Sequence, residues 1–176
     1  MSNPLIPVTV TVAFGALLSA PAWSAELALD VELPKLNVAE YHRPYVAIWV
    51  EGADQKDVAD LAVWYQVRDT AEGHGTKWLP DLRQWWRKSG RDLQLPVDGV
   101  TGPTRPAGTH ALKFTDRQPQ LAKLAPGNYT LVVEVVREVG GRELLKIPFA
   151  WPVKKAATAK AQGSSELGTV TLSLKP

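Results

Sequence analysis

The sequence predicts an all-β fold: an immunoglobulin-like antiparallel β-sandwich of about seven strands with one short Trp-rich helical insertion. Three observations carry that expectation. Runs with an apolar residue at every second position recur along the chain, which is the period of a half-buried strand. Turn signals rich in Gly and Pro separate them. A single stretch, residues 77–91, has helical spacing, so strands do not alternate with helices and a parallel α/β sheet is excluded. The chain contains no cysteine, which rules out an antibody-type disulfide and any thiolate chemistry.

The first residues stand outside the fold. No charged residue precedes Glu26, and residues 5–22 are almost wholly apolar or small. Ala20-Pro21-Ala22 supplies small residues at the two positions a signal peptidase requires, so residues 1–24 read as a signal peptide cleaved between 22 and 25. Pro4, Pro7 and Pro21 argue against a membrane-spanning helix, and no stable membrane insertion is expected after cleavage. The amino-terminal region lacks the Lys or Arg usual in such signals. Residues 25–176 are the size of one domain, long enough to bury a core unaided. With 20 basic against 18 acidic residues and a net charge of +2, nucleic acid is not an expected partner. Export to a Gram-negative-type periplasm fits these features.

The elements follow in order. Residues 26–33 put Leu27, Leu29, Val31 and Leu33 on one face, and Pro34 ends that strand. Residues 44–51 are β-branched and aromatic on both faces, which marks a central strand. Residues 58–67, with Val58, Leu61, Val63 and Tyr65 facing the core, pair with it as a hairpin. Residues 68–76 form a polar loop. Asp81 is a plausible N-cap for a two-turn helix carrying Leu82, Trp85, Trp86 and Ser89, and Gly90 stops it. A helix that short is unstable alone in water and must dock on the sheet. Residues 91–107 are irregular, and 98–108 are turn chemistry throughout. Residues 109–115 and 129–139 are strands, with Gly140-Gly141 as a hairpin turn into 142–153. Residues 154–165, rich in Ala, Lys and Gly, read as a solvated loop, and 167–174 as a closing strand with Val170, Leu172 and Leu174 inward.

Candidate binding residues gather around the helical stretch. Trp78, Trp85 and Trp86 are either core or a stacking platform. Adjacent residues on a helix point about 100° apart, so Trp85 and Trp86 are both buried only if the helix is covered on two sides. Arg83, Arg87 and Arg105 flank them, and Trp with Arg is the pairing enriched at interface hot spots. Arg43 and Tyr45 either fix a strand entrance or line a pocket with the Trp stretch, where a guanidinium fork would suit a carboxylate or phosphate. Residues 101–108 could aim backbone N–H groups at an anion, though their glycines equally serve turn geometry. His42, His74 and His110 have no ligand-spaced neighbours, so neither a metal nor another cofactor is expected. No Gly-x-Ser-x-Gly motif or carboxylate pair of telling spacing points to catalysis, and the expectation is a protein that is not an enzyme.

Five segments together resemble a known family: Tyr41-His42-Arg43-Pro44-Tyr45 running into residues 46–51, the Trp stretch from Lys77 to Arg87, Thr101-Gly102-Pro103-Thr104-Arg105-Pro106-Ala107-Gly108, Arg137-Glu138-Val139-Gly140-Gly141-Arg142-Glu143, and Glu166-Leu167-Gly168. On these the chain resembles the exported bacterial domain-of-unknown-function family 2271. The resemblance implies a periplasmic, immunoglobulin-like protein, similar to the Ig-like domain of the flagellar hook-capping protein through Pro106-Ala107-Gly108-Thr109-His110 and residues 124–131. It further implies a genomic setting with PepSY-type membrane reductases and iron uptake. The leading expectation is therefore an accessory protein that binds the periplasmic face of such a reductase or an iron-uptake component. A Trp platform for a sugar or siderophore is the second, and a structural assembly role of the hook-cap type is the third.

Overall fold

Alternation puts Leu27, Leu29, Val31 and Leu33 on one face of β1 (Glu26–Leu33), and all four are buried. The computed structural model describes residues 24–69 and 73–176, except for the side chains of Asp57 and Val58. The signal peptide expected over 1–24 thus lies outside the described residues, apart from Ser24. The remaining strands are β2 (Tyr45–Glu51), β3 (Asp57–Tyr65), β4 (Thr101–Pro103), β5 (Gly108–Thr115), β6 (Gly127–Val136), β7 (Arg142–Trp151), β8 (Ala157–Gln162) and β9 (Thr169–Lys175).

They form two sheets, one ordered β5-β1-β9-β8 and the other β4-β3-β2-β6-β7. Every pairing is antiparallel except the short β3–β4 contact. β2 lies at the centre of the five-stranded sheet, as its two apolar faces require. Its inward face (Val46, Ile48, Val50) joins Leu131, Val133 and Val135 of β6 and Phe149 and Trp151 of β7. These meet β1 and β9 of the other sheet in one core cluster. The result is the expected β-sandwich, with nine strands among the described residues rather than seven.

The outward face of β2, Ala47 and Trp49, is buried as well. Together with Val63, Tyr65 and Val132 it packs against Leu79, Leu82, Trp85 and Val100 in a second apolar cluster. Leu79, Leu82 and Trp85 come from the expected insertion, which is a 3-10 turn (Gly75–Asp81), a short helix α1 (Arg83–Lys88) and a second 3-10 turn (Gly90–Asp92), while Val100 directly precedes β4. The molecule therefore has three layers: sheet, sheet and helical cover.

Two loop expectations are corrected. The solvated loop over 154–165 contains β8, an edge strand paired in register with β9 from Ala157↔Leu174 to Gln162↔Thr169. Its residues are exposed or half-buried alanines and polar groups, so it carries almost no apolar signal; the β9 ladder, not its own side chains, makes it a strand. Within 101–108, Thr101–Pro103 is β4, so that segment extends the sheet edge instead of forming an anion nest.

Candidate functional site

The helical cover is held by carboxylates that rise from the sheet beneath it. Glu134 of β6 is fully buried. It accepts the backbone N–H groups of Gln84 (3.1 Å) and Trp85 (2.8 Å) and the Nε–H of Arg142 (2.6 Å). The first amides of any helix lack intrahelical partners, and here a sheet side chain meets them. Asp81 is therefore not the cap: Leu82 occupies the N-cap position and no local side chain bonds there. Asp60 of β3 accepts the Trp85 indole N–H at 2.6 Å and the Ser89 hydroxyl at 3.1 Å. Glu51 of β2 pairs with Lys88 at 2.9 Å and Lys146 at 3.3 Å, and accepts the Trp49 indole N–H. Burial works to raise the Glu51 pKa, but the bonds from Lys88 and Trp49 and the Lys146 charge outweigh it and leave the pKa lowered.

Beside this sealed layer lies an open cleft of about 730 Å³. It sits over the end of the five-stranded sheet, where β2 begins opposite the end of β6, Tyr45 facing Val136. Four segments converge on it. The chain before β2 brings Tyr41, His42, Arg43 and Tyr45. The first 3-10 turn brings Gly75, Trp78 and Asp81. The β6–β7 turn brings Arg137, Glu138 and Val139, and Gln66 and Thr104 complete the wall. The Tyr45 hydroxyl donates to the Gly75 carbonyl at 3.1 Å, which ties the floor to the helical cover. His42 lies between Glu40 (2.8 Å) and Glu138 (3.5 Å). Of the five large apolar side chains that stand exposed, Tyr41, Trp78 and Val139 line this cleft.

The β6–β7 turn has an unusual interior. Arg137 and Glu166 form a buried bidentate pair at 2.8 and 3.1 Å, and Glu166 also accepts the Gly141 N–H at 2.7 Å. The predicted Gly140-Gly141 turn is there, but neither glycine carries the left-handed backbone. That conformation belongs to Val139, at φ 52°, where a β-branched residue is strained. The glycines clear space instead: a Cβ on Gly140 would lie 2.5 Å from the Arg137 guanidinium carbon, and one on Gly141 would lie 3.0 Å from Glu166. Next to this pair, Glu143 accepts the backbone N–H groups of Ser164, Ser165, Glu166 and Leu167 and both serine hydroxyls. Burial alone would raise its pKa. The amide and hydroxyl donors more than offset this and hold it down to about 2.

The expected binding residues divide accordingly. Arg43, Tyr45 and Trp78 meet in the cleft. Trp85 is fully buried, so it is core and no platform, and Trp86 is half-buried against the same cluster. Arg83 and Arg87 are exposed on the outer side of α1, where the Arg87 Nε–H donates to the Arg83 carbonyl. Arg105 lies elsewhere, its guanidinium 5.4 Å over the Trp64 ring. Sequence reasoning missed Arg137, Glu138 and Val139 as site residues because the stretch read only as a hairpin. The available signal was an Arg just past a buried strand, with two glycines beginning three residues on. Among the described residues, no group of three or more His, Asp or Glu is placed to hold a metal ion, and no helix is long and apolar enough to cross a membrane.

Residues 26–169, most of the chain, match the family model described as "Predicted periplasmic protein (DUF2271)". No curated protein and no solved structure is similar enough to count as a match.

Proposed function

The chain belongs to the DUF2271 family of predicted periplasmic proteins, and on that premise we propose that it is a non-enzymatic binding protein whose cleft takes a small ring-bearing ligand. The observation that carries this reading is the cleft itself. Its volume of about 730 Å³ falls in the range of small-molecule sites, and aromatic rings share its wall with charged and polar groups. Trp78, 42% exposed with Lys77 Nζ 4.5 Å from its ring centroid, offers a face for stacking. Tyr41 and Tyr45 supply further aromatic wall with polar tips. Sugars and simple phenols are the probes of choice. Titrating them should change the tryptophan fluorescence of the wild type, and Trp78→Ala should remove the change. A response that survives Trp78→Ala, or none from either class, would overturn the reading.

A second reading is favoured by the exposed apolar rim. Tyr41, Trp78 and Val139 would form a docking edge for the periplasmic face of a membrane protein, either a PepSY-type reductase or an iron-uptake component. That partner class rests on the family resemblance alone. Under this reading, detergent-solubilised membranes yield such a protein with wild-type bait and not with Val139→Asp, while small-molecule titrations stay flat.

A further inference from the structure

The first 3-10 turn gives one of its faces to the cleft. Side chains three residues apart eclipse in such a helix, and Gly75, Trp78 and Asp81 stand at that spacing and all line the cleft. Gly75 is the bare end of the face, where a Cβ would collide with the Gln66 carbonyl. Trp78 offers a ring that is 42% exposed. Asp81 is exposed, and its carboxylate meets no partner among the described residues. Local rules would have it cap α1, but Leu82 holds that position and Glu134 takes the amides. Asp81 thus brings to the cleft, on the same face as an exposed tryptophan, a charge that no described residue of the fold neutralises.

We propose that the cleft selects a ring-bearing primary amine, with Asp81 taking its ammonium and Trp78 and Tyr41 receiving its ring. This rests on the small-ligand reading and names the ligand class. The charges of the wall point that way. Arg137 is buried and neutralised by Glu166, which leaves Arg43 against two carboxylates, Asp81 and Glu138. Glu138 shares His42 with Glu40 and is the less available of the two. The rings add to the bias, because an aromatic face is electron-rich and attracts a cation while repelling an anion. The fold already uses that attraction at Trp78, where Lys77 Nζ stands 4.5 Å from the ring centroid. Three residues of 3-10 helix rise about 6 Å, close to the reach from ring to ammonium in a phenethylamine.

Phenethylamine, its neutral isostere phenethyl alcohol and the anion phenylacetate separate these elements at neutral pH, where the amine is protonated. Calorimetry and tryptophan fluorescence on the full chain are the readouts. The amine should bind about tenfold more tightly than the alcohol, and phenylacetate more weakly than the amine. Asp81→Asn keeps the shape and removes the charge, so the preference for the amine should vanish while the Tm stays in place. Glu138→Gln should reduce that preference by less. A preference that survives Asp81→Asn, or that only Glu138→Gln removes, would overturn the assignment to Asp81. Tighter binding of phenylacetate than of the amine would mean that Arg43 governs the cleft, and would overturn the ligand class. Equal binding of amine and alcohol would sink the ammonium assignment while leaving the small-ligand cleft standing. No response to any of the three, combined with a response to sugars, would likewise reject the amine and keep the cleft. Silence across all probes would remove both.

Discussion

Trp85 and Trp78 come from one short stretch of chain and end in opposite surroundings. Trp85 is fully buried, its ring packed in the second core cluster and its indole N–H bonded to Asp60. Trp78 is 42% exposed and lines the cleft. Both side chains are large and apolar, so hydrophobicity does not separate them. What separates them is the polar handle and the sheet beneath. Trp85 lies over β3 and β6, where Asp60 takes its N–H and Glu134 takes its backbone amide. A tryptophan is fully buried only where its N–H finds an acceptor. Trp78 sits on the preceding 3-10 turn, past the end of β2, where the sheet no longer lies underneath. The same insertion thus builds a structural layer at one end and a cleft wall at the other.

The largest expected effect tests the structural half. Trp85→Ala removes a fully buried ring and strands Asp60 without its indole donor, and should cost about 4 kcal/mol of stability in urea unfolding at neutral pH. A loss below about 1 kcal/mol would mean that the second cluster is not a true core and that the contrast with Trp78 is false. Next comes Glu134→Ala, which leaves the amides of Gln84 and Trp85 and the Arg142 guanidinium without their shared partner. Its expected cost is about 3 kcal/mol, with early hydrogen exchange of those two amides. Asp81→Ala, at the residue that local sequence rules name as the cap, should change stability by less than about 0.5 kcal/mol.

A smaller effect concerns the segment that packs behind the β6–β7 turn. Glu143 fixes the 164–167 segment, and its pKa is lowered from 4.5 to about 2. A carboxylate depressed in the folded state lends stability that is fully present above its unfolded pKa and is lost as pH falls through its folded one. The expected window is therefore from about pH 4.5 down to about pH 2. The loss, after allowance for solvent screening, should be on the order of 1–2 kcal/mol. Urea midpoints across that range measure it, and Glu143→Gln should flatten this part of the profile.

Much of the sandwich was legible because alternation is a local signal. The bounds of β1 and the inward residues of β9 follow from period two alone. The features that were not legible share a cause: their partners are distant in the chain. The helix start read as Asp81 because capping rules look within a turn, whereas Glu134 caps from a strand some fifty residues on. β8 was hidden because alanine and lysine carry no burial pattern and only its ladder with β9 defines it. For the candidate site, Arg43 and Tyr45 were found at a strand entrance and Trp78 as part of the Trp-rich helical stretch. Arg137 was passed over because Gly-Gly usually signals backbone freedom, and here it signals room for a guanidinium.

Trp78→Ala gives the smallest stability change and the sharpest division between the two regions. Its ring is already partly in water and its main charged contact is Lys77 above it, an interaction of modest worth at an exposed site. The truncation removes part of an apolar surface but leaves no buried donor or acceptor unpaired, so the cost in unfolding free energy should be about 1 kcal/mol or less. Its effect on the fluorescence response should be complete, because no other tryptophan among the described residues lines the cleft. The ratio of the two effects decides the matter. A variant that unfolds like the wild type but no longer responds to ring-bearing ligands places Trp78 in a binding wall. One that loses as much stability as Trp85→Ala would make it a second core tryptophan, and the cleft a packing defect at the edge of the helical cover.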